Sequence, residues 1–249
     1  MRTANPALNK NTFEFFKTNP KYKNSKKMTI DGTVNNSFIL LFILLITSAL
    51  TWFYFLQGGF AGVTILMWVG LIVGLVLAII TVFKKEWAPI TAPLYAGFEG
   101  LAIGGISAFF ASMFPGIVLQ AIALTFGTMF AMLFIYKMRW IKVTENFKLG
   151  LFAATMAVML IYLATWILSF FSIKIPYIHE SGWIGIVFSL IVVVIAALNL
   201  VLDFDFIEKG SEQGAPKFME WYGAFGLMVT LIWLYLELLR LLAKIRGRD

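Results

Sequence analysis

The sequence contains no cysteine, a single histidine and few charged residues. Without cysteine the chain can form no disulfide framework, no thiolate metal site and no thiol nucleophile. Charged residues make up 13% of the 249 residues and hydrophobic residues 60%, whereas soluble domains typically carry about 25% charged residues. This balance excludes a water-soluble globule, and it also excludes a disordered chain, because disorder requires low hydrophobicity. The composition is that of a polytopic membrane protein.

Seven apolar runs are long enough to cross a membrane as helices, since a span needs about 20 mostly apolar residues. The predicted fold is an all-α integral membrane protein with seven transmembrane helices, the last of which is expected near the centre of the bundle. The chain is predicted to divide into a basic tail, 1–36, and a transmembrane domain, 37–249. The predicted spans are 37–56, 60–83, 90–114, 116–136, 149–172, 183–202 and 218–242.

The basic residues cluster at one end of the predicted spans. Lys and Arg are frequent in the tail and in the second, fourth and sixth loops, whereas the fifth loop has only Lys174 and the first and third have none. Because cytoplasmic loops carry the excess of Lys and Arg, the N-terminus is predicted to be cytoplasmic. We expect seven full spans, which put the basic C-terminal residues outside; a re-entrant last helix is the alternative. These residues are Arg240, Lys244, Arg246 and Arg248.

Three pairs of glycines are spaced four residues apart, a spacing that places both members on one helix face. Such pairs let the backbones of neighbouring helices approach closely in a membrane. They are predicted to serve packing within the chain rather than dimerisation. The pairs are Gly58 with Gly62, Gly70 with Gly74, and Gly100 with Gly104.

Two classes of seven-helix protein lack their required residues here. A retinal protein needs a lysine deep in its last helix, but Lys217 and Lys244 lie only at the ends of that span. A zinc hydrolase needs several clustered ligands, but the one histidine, His179, lies in the fifth loop beside Glu180 and is predicted to be an ordinary exposed residue. No nucleophile, base and orienting group occur together, so we expect no enzymatic activity, no cofactor and no nucleic-acid partner.

Acidic residues in or beside the spans are the candidate functional residues. Glu99 lies about ten residues into the third span, where a charged side chain costs about 2.5–3.5 kcal/mol, and it is a functional hypothesis by default; a protonated glutamate bonded to a neighbouring helix is the alternative. Asp203 and Asp205 are predicted to end the sixth span, with Glu220 at the same depth in the seventh. Asp203 and Glu220 are predicted to share a proton or to hold a hard cation. An interfacial loop neutralised by lysines is the alternative.

Glu237 belongs to the opposite side of the membrane. It follows Glu220 by about 17 residues, or roughly 25 Å of helix. Arg240 stands three residues after it, which predicts a local ion pair between the two side chains.

Three segments carry a resemblance to a known family. The sixth span ends in NLVLDFDFIEKG over 199–210, and the last span contains MEWYGAFGL over 219–227 and YLELLRLL over 235–242. The third span contains Gly-Phe-Glu-Gly around Glu99. These segments resemble the Bax inhibitor (transmembrane Bax inhibitor motif) family, in its bacterial branch, and the likeness covers most of the chain from Ser37 on.

The resemblance implies a pH-sensitive leak channel for calcium or another cation. In the family, aspartates on the sixth and seventh helices form a pH-responsive pair. Asp203 matches the first aspartate; the position of the second falls near Thr230, which leaves Glu220 as the candidate substitute. A basic residue at the end of the second helix that faces the pair corresponds to Lys84 or Lys85. The residues predicted for pH sensing and the ion pathway are Asp203, Glu220, Asp205 and Glu99, with Asp203 and Glu220 as ligands of a transient calcium ion.

The resemblance also implies an alternative function. Some bacterial relatives bind a membrane-anchored ATP-dependent protease and restrain it, which would make the chain an interaction protein in a stress response. In that case the basic tail or the helix surfaces would bind the partner. With either function the lipid bilayer is a partner, and the expected location is the bacterial inner (plasma) membrane.

Overall fold

The computed structural model describes Tyr22 and residues 25–171 and 182–247, without the side chains of Phe60 and Ala61. This part of the chain contains seven long α-helices and no β-strand. All seven helices are long and apolar enough to cross a membrane, which confirms the predicted all-α membrane fold. The helices are α1 Ile30–Gly58, α2 Phe60–Phe83, α3 Ala88–Met113, α4 Ile117–Lys137, α5 Glu145–Phe170, α6 Trp183–Glu212 and α7 Met219–Arg246.

The first helix begins earlier than its apolar run predicts. It starts at Ile30 rather than near Ser37, inside the predicted tail 1–36. Thr29 caps it, because its side-chain oxygen accepts the backbone N–H of Gly32 at 3.0 Å, which satisfies one of the free donors of the first turn. The predicted loop residues Lys174, His179 and Glu180, and most of the tail, lie outside the described residues.

The sixth helix continues beyond its apolar run. The prediction that it ends at Asp203 and Asp205 is wrong, because α6 runs on to Glu212. No proline interrupts this stretch, and Lys209 forms an ion pair with Asp205 one turn away at 2.7 Å, a pairing that supports a helix. Both aspartates therefore lie within the helix, about 200° apart around its axis.

The described residues belong to two compact units. The N-terminal unit comprises the described part of Pro6–Met113 together with Asp205–Val229, and the C-terminal unit comprises Phe114–Phe204 with the described part of Thr230–Asp249. Both α6 and α7 contribute to each unit. Of the seven helices, α7 is the most buried, because 67% of its most apolar stretch lies inside the protein. This agrees with the prediction that the last helix lies near the centre of the bundle.

Glycines bring the first three helices of the N-terminal unit into close contact. A Cβ atom at Gly70 on α2 would collide with the carbonyl oxygen of Phe98 on α3, and one at Gly100 on α3 would collide with α1. The hydroxyl of Ser48 on α1 donates to the carbonyl of Gly100 at 2.9 Å. The predicted packing within the chain is thus confirmed for the pairs that begin at Gly70 and Gly100.

The first glycine pair serves a different purpose. Gly58 ends α1 and Gly62 lies in α2, so the two residues do not share a helix face. Gly59 between them has a φ of 68°, a left-handed conformation that glycine adopts at little cost. The prediction that Gly58 and Gly62 form a packing face is wrong, since a turn separates them.

In the C-terminal unit, the basic end of α7 bonds to neighbouring helices. The ammonium group of Lys244 donates to the carbonyl of Gly185 at 3.1 Å and to Ser189 at 2.8 Å, both near the start of α6. Arg246 donates to the carbonyl of Pro115 at 2.8 Å, just before α4. These contacts give the late positive charges a packing role at this end of the unit.

Candidate functional site: buried carboxyl groups

Asp203 lies on α6 in the C-terminal unit. Its carboxyl group has Thr230 of α7 as a hydrogen-bond partner. The Oδ2 atom is buried, and no group within the described residues hydrogen bonds to it. A buried oxygen without a partner is costly unless a proton, an ion or water satisfies it. Thr230 stands where the resemblance places the second aspartate of the family, so a neutral hydroxyl occupies that position here.

Asn199 anchors α6 one turn before Asp203. Its side-chain amide donates to the hydroxyl of Thr155 on α5 at 2.9 Å and to the carbonyl of Ile195 at 2.8 Å. Residues four apart share a helix face, so Asn199 and Asp203 form a polar edge on α6. Asn199 was not among the predicted residues, although its four-residue spacing from Asp203 is the signal that could have identified it.

Glu220 lies in the N-terminal unit, where it extends the cap of α1. Its side chain is 4% exposed, and Oε1 accepts the backbone N–H of Thr29 at 3.0 Å and the Thr29 hydroxyl at 2.9 Å. A carboxylate is favoured at a helix N-terminus by the free N–H groups and by the helix dipole. The structure therefore gives Glu220 a capping role, and its role in proton sensing stays a prediction.

Residues 26–29, the N-terminal strap, bond to the connection between α6 and α7. The backbone N–H of Met28 donates to the carbonyl of Ala215 at 2.7 Å, and that of Lys217 donates to the carbonyl of Lys26 at 2.8 Å. The side chain of Met28 is 2% exposed, so the strap is anchored by apolar burial as well as by backbone pairing. Met28 packs in a cluster with Ala88, Phe206, Ile207, Ala215, Met219 and Tyr222.

The other predicted residues of this end have separate partners. Asp205 is 6% exposed and pairs with Lys209. The ammonium group of Lys85 lies 5.3 Å from the centre of the Tyr222 ring on α7, within the range of a cation–π interaction, whereas Lys84 is exposed. Of the two predicted basic residues, Lys85 is therefore the one that contacts α7.

Glu99 lies on α3 in the N-terminal unit, against the backbone of Gly74 on α2. Its Oε2 atom is 2.7 Å from the point at which a Cβ atom of Gly74 would stand, so the missing side chain on α2 makes room for the carboxyl group. Tyr95, one turn earlier, is 5% exposed and packs edge-on against Phe225 of α7 with ring centres 5.1 Å apart. The glycine spacing on α2 thus accommodates the acidic residue of α3.

Glu237 is 0% exposed and lies at the centre of a polar cluster in the C-terminal unit. It accepts hydrogen bonds from Arg240 at 2.6 Å, Tyr162 at 2.9 Å and Trp233 at 3.2 Å. The guanidinium carbon of Arg240 also lies 5.1 Å from the centre of the Tyr162 ring. The predicted local pair of Glu237 with Arg240 is confirmed, and the contribution of Tyr162 from α5 was not predicted.

Within the residues that the structure describes, no group of three or more His, Cys, Asp or Glu could hold a metal ion. Among the described contacts, Asp203 hydrogen bonds to Thr230, Glu220 hydrogen bonds to Thr29, and Asp205 forms an ion pair with Lys209. Transient binding of calcium by Asp203 and Glu220 stays a prediction.

These features define a polytopic helical membrane protein with carboxyl groups buried at several points in its helices. The family model described as Bax inhibitor 1 like matches residues 5–247, and the chain belongs to this family. No curated protein and no solved structure matches it significantly.

Proposed function

We propose that this Bax inhibitor-like protein is a pH-sensitive leak for calcium or another cation, gated by protonation of Asp203. The observation that carries the proposal is the buried Oδ2 of Asp203, which no described residue hydrogen bonds to. A proton or a hard cation satisfies such an oxygen. Protonation state and ion occupancy at Asp203 therefore change the packing of α6 against α7 through Thr230.

Family membership supports this proposal, since Asp203 matches the first member of the family's pH-responsive pair. Thr230 in place of the second aspartate leaves one carboxyl group at that contact instead of two. We infer that Glu220 contributes indirectly, by holding the N-terminal strap. Calcium then binds transiently to single carboxyl groups. We infer no catalytic role for the protein.

The distribution of basic residues supports an orientation for the leak. Lys84 and Lys85 follow α2, while Lys209 and Lys217 flank the connection of α6 to α7 to which the strap bonds. Positive loops are retained in the cytoplasm. We propose that the N-terminus is cytoplasmic and that the protein lies in a bacterial inner membrane.

Calcium flux into liposomes tests the proposed function. Purified protein is reconstituted with an internal calcium dye, and influx is measured between about pH 5 and 8, the range in which perturbed carboxyl groups titrate. We expect pH-dependent influx in the wild type and a flat pH profile in Asp203→Asn, which removes the titrating group. Glu145→Gln is the matched control, because Glu145 is an exposed carboxylate of the C-terminal unit paired with Lys148.

Two results would contradict the leak. One is influx no greater than that into empty liposomes at every pH, which favours the alternative function as a membrane partner of a protease or stress factor. The other is an unchanged pH profile in Asp203→Asn, which removes Asp203 as the gate.

A further inference from the structure

The buried face of α1 is polar over its first turns, before Leu40 and Leu44. Thr33 is 0% exposed, and Asn36 and Ser37 are each 9% exposed. Leu40 and Leu44 continue the same face at 0% and 7%. A helix face buried inside a membrane protein is normally apolar, because polar groups there need partners. The polar stretch therefore requires an explanation.

Two of these side chains bond to their own helix. The hydroxyl of Thr33 donates to the carbonyl of Thr29, and that of Ser37 donates to the carbonyl of Thr33, both at 2.9 Å. Each hydroxyl oxygen keeps lone pairs that can accept a further hydrogen bond. The donors of Thr33 and Ser37 are satisfied, but their capacity as acceptors is not exhausted.

Asn36 differs from both. Its Nδ2 atom is buried, and it has no hydrogen-bond partner among the residues that the structure describes. An amide N–H in this position requires an acceptor. A bare cation cannot supply one, whereas water both accepts from the amide and donates to hydroxyl or carbonyl oxygens.

The start of the polar face, at Thr29 and Thr33, lies against the first turns of α7 within the N-terminal unit. A Cβ atom at Gly223 of α7 would be 3.3 Å from the Cγ2 atom of Thr33, and Glu220 bonds to Thr29 at the start of α1. Polar groups thus continue along α1 from Thr29, which bonds to Glu220, as far as Ser37. Leu40 is the next buried residue on this face, and it is apolar.

We propose that the face of α1 from Thr29 to Ser37 binds buried water, with Asn36 as its central donor and Leu40 as its inner limit. The polar face is a hydrated cleft that reaches from the Glu220 end of α1 into the membrane. The cleft is a property of the N-terminal unit and does not depend on the leak proposed at Asp203.

The absence of native cysteine makes the cleft directly testable. Single cysteines replace Asn36, Leu40 and Phe38 in protein reconstituted in liposomes, and the rate of modification by 2-aminoethyl methanethiosulfonate is measured from both sides. Phe38 lies on the opposite face of α1 and is 66% exposed. We expect Asn36→Cys to react at least about tenfold faster than Leu40→Cys and Phe38→Cys, the ratio that 1.4 kcal/mol of easier access to water produces.

A second variant tests the proposal without a cysteine, in case Asn36→Cys perturbs the fold. Leu has nearly the shape of Asn but no polar atoms, so Asn36→Leu removes only the donor and acceptor. If water satisfies the amide, Asn36→Leu loses those bonds, and Tm falls by about 2–4 °C. A rise in Tm in Asn36→Leu, or a modification rate of Asn36→Cys no higher than that of Leu40→Cys, would overturn the proposal. An absence of calcium flux in the wild type would contradict the leak proposed at Asp203, but it would not contradict water binding on α1.

Discussion

Glu220 accepts two hydrogen bonds from Thr29, a residue 191 positions earlier in the sequence. This contact fixes the start of α1 to the first turn of α7, next to the backbone pairing of the N-terminal strap. It makes the beginning of the membrane domain dependent on a residue near the end of the chain. The contact that the structure shows for Glu220 is therefore a structural one, at the start of α1.

Glu220→Ala is expected to destabilise the protein. The backbone N–H and the hydroxyl of Thr29 lose a buried acceptor, at a cost of about 1–3 kcal/mol. Thermal unfolding in detergent measures the change, with Glu212→Ala as the control because Glu212 is exposed at the end of α6. A Tm equal to that of the control would refute the capping role.

Gly32→Ala is expected to destabilise the wild type. A Cβ atom at Gly32 would overlap the carboxyl group of Glu220, although alanine is the better helix former by about 1 kcal/mol. In a Glu220→Ala background the obstacle is gone, so the same substitution should become neutral or stabilising. Gly150→Ala on α5, where a Cβ atom meets nothing within 4 Å, provides the unobstructed reference.

Sign reversal between the two backgrounds is the decisive result. A double-mutant cycle measures it directly, because the coupling free energy of neighbouring residues is the failure of their effects to add. Additive effects of Gly32→Ala and Glu220→Ala would mean that the glycine is not required by the carboxyl group.

The sequence was sufficient for the helices and insufficient for several of their ends. Apolar runs of span length predict membrane helices on their own. The start of α1 at Ile30 depends on Thr29 and on the distant Glu220. The continuation of α6 includes residues 208–212, which are largely polar yet helical. Such ends are set by hydrogen bonds rather than by hydropathy, so an apolar run does not reveal them.

The candidate residues divide along the same line. The local pair of Glu237 with Arg240 follows from helix spacing and was predictable. The bare Oδ2 of Asp203 and the bare Nδ2 of Asn36 were not, because the partners of a buried polar atom depend on packing between helices. Thr230 was located by family likeness alone, and its contact with Asp203 supports that placement.

Glu237→Ala is expected to cost about 1–3 kcal/mol, the range for removing a buried hydrogen-bond acceptor, because the Arg240 side chain is 45% exposed and can turn to water. Arg240, Tyr162 and Trp233 would all lose their acceptor. Tyr162→Phe removes one of these bonds and should cost about 1 kcal/mol. Both changes are measured by thermal unfolding, with Tyr54→Phe at an exposed position of α1 as the control; a similar Tm for Glu237→Ala and Tyr54→Phe would contradict the cluster's role.

Thr230→Asp is expected to create the carboxyl pair that this chain lacks. Asp203 and the new side chain would lie in hydrogen-bond contact, where two like charges repel and a shared proton relieves the repulsion. The Tm of the variant relative to the wild type should therefore rise as the pH is lowered. In liposomes the calcium flux should become more steeply dependent on pH. Thr230→Asn has nearly the same shape without the charge, so it should show neither change; equal pH profiles for Thr230→Asp and Thr230→Asn would mean that position 230 does not act on Asp203 through charge.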